Sequence, residues 1–134
     1  MIESKLVLGK NATVRDSVND NSSAKAVGSG SLDVYATPMM VALMERAACL
    51  CLADCLESGE TSVGTEIKVS HAAASQMGAK VESTATIKRV TGRKIEFTVT
   101  ASDGAGEIGN GEHTRVIVDA ERFVEKVLRR STGF

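Results

Sequence analysis

The second half of the chain alternates between apolar and polar residues, with the period of two that is typical of half-buried β-strands. Four stretches show this pattern: residues 62–73, 81–88, 95–101 and 108–118. The dipeptides Thr91-Gly92 and Asp103-Gly104 separate the last three stretches, and both are typical of tight hairpin turns. Gly109 and Gly111 interrupt the last stretch and indicate a bulge or a close approach of another backbone. The pattern therefore predicts four long strands.

The first half of the chain predicts a long helix. Thr37-Pro38 precedes an apolar run; Thr is a common N-cap and Pro is favoured at the first helical position, so the helix should begin there. Gly59 marks its expected end, which gives a helix of about 20 residues, or roughly 30 Å. Residues 5–18 are a weak strand, residues 19–31 a loop rich in Asn, Ser and Gly, and residues 120–130 a short terminal helix.

The order of these elements favours an α+β fold. A helix that is apolar on nearly all sides must be covered on most of them, and an antiparallel sheet curled around it would provide that cover. The length of 134 residues suits one domain, which we expect to span residues 1–134.

Composition argues against several classes of protein. The chain has 16 Lys and Arg against 17 Asp and Glu, and only one Tyr and three Phe, so neither charge nor base stacking favours nucleic-acid binding. The most apolar stretch, residues 39–56, contains three charged residues, which favours a buried helix over a membrane span. Residues 1–10 lack the apolar run of a secretory signal. We therefore expect a cytoplasmic protein that contacts no membrane.

The three cysteines indicate buried thiols. Cys49, Cys51 and Cys55 crowd one segment, and no complementary pair of Cys or His has the spacing of metal ligands. Their odd number and clustering favour reduced thiols in the core over disulfides or a metal site. No glycine-rich cofactor-binding motif is present either, so we expect neither a metal nor a cofactor.

Glu45 is the most unusual residue of the predicted helix. On a helical wheel Val41, Cys49 and Leu52 lie within about 40° of it, which places the carboxylate in an apolar stripe. An unpaired buried carboxylate costs several kcal/mol. Glu45 must therefore find a partner across the fold, line a wet pocket or shift its pKa upward, unless backbone groups or water satisfy it.

His71 is the expected partner of Glu45. It shares strand parity with Ile67 and Val69, so its ring should face the helix, where a His and a Glu together can tune a base near pH 7. The alternative is a core histidine that bonds a backbone carbonyl. His113 has no such counterpart and is interpreted as structural or exposed.

Thr37 has two possible roles, helix N-cap and functional hydroxyl. Along a straight helix it lies about 12 Å from Glu45, too far for a hydrogen bond. If both residues serve one site, either the substrate spans this gap or the threonine comes from a second subunit.

Several segments together are similar to a known family. They are Tyr35-Ala36-Thr37-Pro38 and residues 41–45, 62–65, 69–71 and 108–115. Over roughly residues 5 to 125 the chain resembles the hotdog-fold thioesterases of the fluoroacetyl-CoA thioesterase-like group. The resemblance implies a hotdog fold, in which a curved antiparallel sheet wraps a long central helix, and a homodimer with sites at the interface.

The resemblance also implies an activity, hydrolysis of an acyl-CoA thioester. It assigns Thr37, Glu45 and His71 as the catalytic set, and Gly64 and Arg115 as residues that contact the acyl end of the substrate. Whether Glu45 or Thr37 is nucleophile or base stays open. Residues 30–35 carry no Phe, whereas the fluoroacetyl-specific enzyme has an aromatic lid in this loop, so a broader short acyl-CoA substrate is expected.

Two other functions compete with this one. The first is a hotdog module that binds acyl-CoA as ligand or regulator without cleaving it, although such a binder needs no buried acid. A hotdog hydratase is a weaker alternative, because no Asp/His hydratase motif is evident. Four basic residues are either a contact for the CoA phosphates or simply solvated: Lys88, Arg89, Arg93 and Lys94.

Overall fold

A computed structural model describes residues 1–130, which form one five-stranded antiparallel sheet with helices packed on it. The elements are β1 (Asn11–Ser17), α1 (Ala24–Val27), α2 (Thr37–Leu52), β2 (Glu60–His71), β3 (Lys80–Thr91), β4 (Lys94–Asp103), β5 (Gly106–Asp119) and α3 (Ala120–Arg129). The strand order is β1-β3-β4-β5-β2, so β1 and β2 are the two edges. The predicted α+β class and the terminal helix are confirmed.

The core lies between α2 and one face of the sheet. Helix α2 packs mainly on β1 and β3. The alternation predicted for β3 and β4 is confirmed, since one set of side chains in each strand is buried: Val81, Ser83, Ala85 and Ile87, and Ile95, Phe97, Val99 and Ala101. The matching face of α2 consists of Met40, Leu43, Met44, Ala47, Ala48, Cys51 and Leu52. Burial of this apolar surface is what holds the helix to the sheet.

Helix α2 begins at Thr37 as predicted, but its N-cap and its C-terminal end differ from those predicted. Ala36, in an extended conformation, is the N-cap, and Thr37 is already helical and makes no capping bond. The α-helix stops at Leu52 and continues only as a 3₁₀ turn, Ala53–Cys55. Gly59 has a φ of +83° and lies in the turn before β2, so it does not end the helix. The assignment of Thr37 as N-cap is therefore wrong, and its hydroxyl is free for another partner.

The region before α2 contains more structure than predicted. The segment expected as a loop includes α1, whose N-cap Ser23 accepts a hydrogen bond from the backbone N–H of Ala26 at 3.1 Å. The weak first strand is shorter than residues 5–18 and covers only β1. Of the cysteines, Cys51 and Cys55 are buried as expected, whereas Cys49 is exposed. Among residues 1–130 no group of three His, Cys, Asp or Glu is placed to hold a metal ion.

Strands β2 and β5 approach each other closely at two glycines. A Cβ atom at Gly109 would collide with the carbonyl of Ser70 and the sulfur of Met40, and one at Gly111 with the carbonyl of Lys68. The expectation of a close approach at these glycines is confirmed. Within residues 1–130 no helix is both long and apolar enough to cross a membrane.

We predict that Gly111→Ala destabilises the protein, because the new methyl group would overlap the backbone of β2. The free energy of unfolding should fall by at least about 2 kcal/mol in urea denaturation. Gly104→Ala is the matched control, since a Cβ there meets no atom within 4 Å. Equal stability of the two variants would contradict this account of the β2–β5 packing.

Candidate active site

Thr37 and His71 form a hydroxyl–imidazole pair. Thr37 opens α2 and His71 closes β2, and the Oγ1 atom of Thr37 lies 2.8 Å from the Nδ1 atom of His71. Burial lowers the pKa of His71, against a smaller opposing effect of a backbone hydrogen bond at Ala73. The imidazole is therefore neutral near pH 7, the state in which it accepts a proton from a hydroxyl group.

Thr37 is exposed and His71 is half-buried, and a buried tyrosine and an open cavity lie beside the pair. Tyr35 is buried and meets the His71 ring edge-on, with ring centroids 6.3 Å apart and an interplanar angle of 80°. Burial raises the pKa of Tyr35 to about 12, and its hydroxyl donates a hydrogen bond to the carbonyl of Met39. A cavity of about 310 Å³ opens beside the pair, lined also by Ala24, Ser29, Val34, Ala72, Ala73 and Ala74. The Nε2 atom of His71 is buried without a hydrogen-bond partner in the described chain.

Glu45 lies elsewhere on α2 and has a different partner from the one predicted. Its Oε2 atom is 3.3 Å from Nη1 of Arg115, and 42% of its side chain is exposed. The predicted burial in an apolar stripe is wrong, because the sheet covers a neighbouring face of α2 and leaves Cys49 exposed. The predicted pairing of Glu45 with His71 is also wrong within the chain, since His71 bonds Thr37 instead.

Arg115 is a buried cation with partners from three elements. Its side chain is 8% exposed. Its Nε atom donates to Oγ of Ser62 at 2.8 Å, and Nη2 donates to the Ser62 carbonyl at 3.0 Å. Nη1 lies against Glu45 and, at 3.2 Å, against Nε2 of His113. The guanidinium thus joins β2, β5 and α2 at one point.

His113 is part of this cluster, although no partner for it is predicted from the sequence. It is buried, its Nδ1 atom lies 2.8 Å from the carbonyl of Glu66, and its ring stacks on Phe97 with an interplanar angle of 27°. Burial lowers its pKa, and the Arg115 cation adds to that effect against the hydrogen bond to Glu66. The sequence does contain one signal for the contact between His113 and Arg115. Residues 113 and 115 are two apart in a strand, so their side chains must lie on the same face of β5.

A β-bulge brings Gly64 to the same cluster. Gly64 pairs with Arg115 and Glu66 with Thr114, which leaves Thr65 as an extra residue in β2. A bulge shifts the alternation of side chains by one residue, so Gly64 rather than Val63 shares a face of β2 with Ile67. A Cβ atom on Gly64 would lie 2.9 Å from Oε2 of Glu45 and 3.2 Å from Nη1 of Arg115. The absence of a side chain at Gly64 therefore keeps the carboxylate accessible.

Within one chain the predicted site residues form two groups. Thr37 and His71 make one group, and Glu45, Gly64 and Arg115 make the other. Eight helical residues separate Thr37 from Glu45, about 12 Å along the axis. Gly64 and His71 lie roughly 20 Å apart along β2. No hydrogen bond between these residues joins the two groups.

Most of the basic residues considered for CoA phosphates are paired with carboxylates. The pairs are Lys88 with Glu112 at 2.6 Å, Arg89 with Glu96 at 3.7 Å and Arg93 with Glu60 at 3.0 Å. This pairing favours the alternative of a solvated charged surface.

Comparison with known proteins gives one consistent family. The model of the fluoroacetyl-CoA-specific thioesterase family matches residues 18–121. The fluoroacetyl-CoA thioesterase of Streptantibioticus cattleyicolor is 43% identical over 99 residues, which cover 74% of this chain and 71% of that protein.

Solved structures agree with this result. A structure of the fluoroacetyl-CoA thioesterase superposes with a TM-score of 0.88 at 35% identity, covering 94% of this chain and 98% of the other. A hot-dog-like protein from Thermanaerovibrio acidaminovorans superposes with a TM-score of 0.88 over the full length of both chains at 24% identity, which supports the fold. The predicted hotdog fold and family resemblance are confirmed. The chain belongs to the fluoroacetyl-CoA-specific thioesterase family and is an acyl-CoA thioesterase.

Proposed function

We propose that this protein hydrolyses short acyl-CoA thioesters as a cytoplasmic homodimer. Thr37, Glu45 and His71 are the proposed catalytic residues, and Gly64 and Arg115 are proposed to contact the acyl end. The observation that carries the proposal is the 2.8 Å contact between the Thr37 hydroxyl and a neutral His71 imidazole beside a cavity. A hydroxyl group beside a base is the usual arrangement of an activated nucleophile.

The first half of the proposed reaction transfers the acyl group to Thr37. The Thr37 oxygen attacks the thioester carbonyl, and His71 takes the hydroxyl proton. Collapse of the tetrahedral intermediate breaks the carbon–sulfur bond, and the CoA thiolate leaves with the proton from His71. The product of this half is an acyl ester on Thr37.

The second half releases the acid with Glu45 as the base. The carboxylate takes a proton from water, and the resulting hydroxide attacks the ester carbonyl. The bond from the acyl carbon to the Thr37 oxygen then breaks, and Glu45 returns the proton to that oxygen, which restores the hydroxyl group and the carboxylate. Arg115 holds one oxygen of the Glu45 carboxylate in place. Gly64 has no side chain, which leaves space for the acyl group next to this carboxylate. The 42% exposure of Glu45 gives water and substrate access to the carboxylate.

The two groups of residues are proposed to meet across a dimer. Strand β2 is an edge strand of twelve residues, so one side of it offers unpaired backbone groups to a second copy. Antiparallel pairing of two such edges brings the Gly64 end of one β2 towards the His71 end of the other. Each active site would then combine Thr37 and His71 of one chain with Glu45 of the other.

The proposed substrate carries a short acyl group. The relative with 43% identity is named for fluoroacetyl-CoA, whose acyl group has two carbons, and four alanines line the cavity of about 310 Å³ beside Thr37. The loop of residues 30–35 supplies no phenylalanine to close over the acyl chain. We therefore propose a broader preference among short acyl-CoAs than the name of the Streptantibioticus cattleyicolor relative specifies for that enzyme.

We predict that Thr37→Ala and Glu45→Gln each lower kcat/KM at least about 100-fold, because each removes one reacting group. Thr37→Ser should retain activity, and Arg46→Gln is a control for an exposed charge on the same helix. The assay should follow the loss of thioester absorbance, since the exposed Cys49 would react with thiol reagents. Wild-type kcat/KM in Glu45→Gln would refute its catalytic role.

We predict that mixing the two inactive variants restores activity if the site is shared between chains. A heterodimer then contains one chain with Thr37→Ala and one chain with Glu45→Gln. If each site takes Thr37 from one chain and Glu45 from the other, one of its two sites carries both substitutions and the other site carries neither. After dissociation and random reassociation, about a quarter of wild-type activity should return. Each variant alone, taken through the same cycle, is the control, and no recovery by the mixture would place the whole site within one chain.

We predict that kcat/KM falls on the acid side with a midpoint below pH 6.5, the ordinary pKa of histidine, because burial lowers the pKa of His71. The neutral imidazole is the active base, so activity is lost as the pH falls through this lowered pKa. The midpoint should move to lower pH on warming, as imidazole ionisation has a large enthalpy and carboxylate ionisation does not. A midpoint that does not change with temperature would mean that a carboxylate, and not His71, causes the loss of activity at low pH.

A further inference from the structure

We propose that His113 is a positioning residue for thioester hydrolysis, which acts by holding Arg115 in the orientation that presents the Glu45 carboxylate to substrate. The inference rests on the proposed role of Glu45. His113 touches neither of the groups that are proposed to react first, Thr37 and His71, and it reaches Glu45 only through the guanidinium.

The contacts of His113 define its tautomer. A carbonyl oxygen only accepts hydrogen bonds, so Nδ1, 2.8 Å from the carbonyl of Glu66, must carry the proton. A guanidinium only donates, so Nε2, 3.2 Å from Nη1 of Arg115, must be the bare acceptor. Both contacts are satisfied together only by the neutral imidazole with its proton on Nδ1.

Nη1 of Arg115 is the atom through which His113 acts. This nitrogen has two hydrogens, and its two acceptors are Oε2 of Glu45 at 3.3 Å and Nε2 of His113. The remaining contacts of the guanidinium go to Ser62. If the acceptor at residue 113 is lost, one hydrogen of a buried cation is left with Glu45 as its nearest alternative. The carboxylate would then turn towards Arg115 and away from substrate.

The His113 ring is itself held rigidly. It is 2% exposed, stacks on the fully buried Phe97, and is fixed at Nδ1 by the backbone of Glu66 beside the bulge. A side chain with this support can fix the direction of a longer, more flexible arginine. Burial and Arg115 lower the pKa of His113, which preserves the neutral form near pH 7.

Two amide variants separate the two contacts of the ring. His113→Gln places an amide oxygen near the position of Nε2 and keeps the acceptor for Arg115. His113→Asn places an amide nitrogen near the position of Nδ1, keeps the donor to Glu66 and does not reach Arg115. We expect His113→Gln to keep kcat within about threefold of wild type, and His113→Asn to lower kcat at least about tenfold with KM changed less than twofold. A merely structural role predicts equal effects of both variants, or the smaller effect for His113→Asn, and either result would overturn the proposal.

A measurement on the unmodified protein covers the case in which a variant fails to fold. Long-range proton–nitrogen NMR spectra of the two histidines, assigned with His71→Asn, should show for His113 a protonated Nδ1 and an unprotonated Nε2 at pH 7. The opposite tautomer or a doubly protonated ring would overturn the proposal.

The same experiments distinguish failure of this inference from failure of the proposed function. If the wild-type protein hydrolyses no acyl-CoA, or Glu45→Gln keeps full activity, the proposed function fails and this inference with it. If Glu45→Gln is inactive while the two His113 variants have equal kcat, only the positioning role of His113 is lost.

Discussion

The burial of the Arg115 cation is the constraint on which the proposed site depends. A charge removed from water costs several kcal/mol unless hydrogen-bond acceptors surround it. Here the acceptors come from β2 through Ser62, from β5 through His113 and from α2 through Glu45. The contacts that satisfy the cation therefore also fix the helix against the edge strand and set the direction of the Glu45 carboxylate. The hydrogen bonds of the Arg115 guanidinium thus contribute both to the stability of the fold and to the orientation of the Glu45 carboxylate.

The bulge at Thr65 makes this arrangement possible in an otherwise regular sheet. In a strand without a bulge, residues 64 and 67 would lie on opposite faces. The extra residue lets Gly64 face the Arg115 cluster while Ile67, beyond the bulge, packs against the core. Gly64, the residue just before the extra residue of the bulge, has no side chain to fill the space next to the Glu45 carboxylate. Edge strands tolerate such an insertion more easily than central strands, since only one neighbour must adjust.

Most strands and both hairpins of the second half could be predicted from the sequence, because period-two patterns and turn glycines are local signals. The start of α2 could be predicted as well, but the role of the Thr37 hydroxyl and the partner of Glu45 could not. Thr37 satisfies the local rule for an N-cap, yet its hydroxyl bonds a histidine 34 residues away. A helical wheel groups Glu45 with apolar neighbours but does not say which face the sheet covers. The sheet covers the neighbouring face, and Cys49 and Glu45 remain accessible within the chain.

The two histidines have different neighbours and are suited to different tasks in the proposed site. His113 lies against a permanent cation, so its neutral form is favoured and its Nε2 lone pair is already engaged. Such a ring is suited to holding a neighbour and unsuited to accepting a proton. His71 lies against a neutral hydroxyl group, and its lowered pKa arises chiefly from burial. In the proposed dimeric site, Arg115 of one chain enters the same site as His71 of the other, and a bare cation there would oppose protonation of the base. The Glu45 carboxylate that pairs with Arg115 offsets this charge, and the hydrogen bonds to Ser62 and His113 direct the guanidinium away from the role of a proton donor.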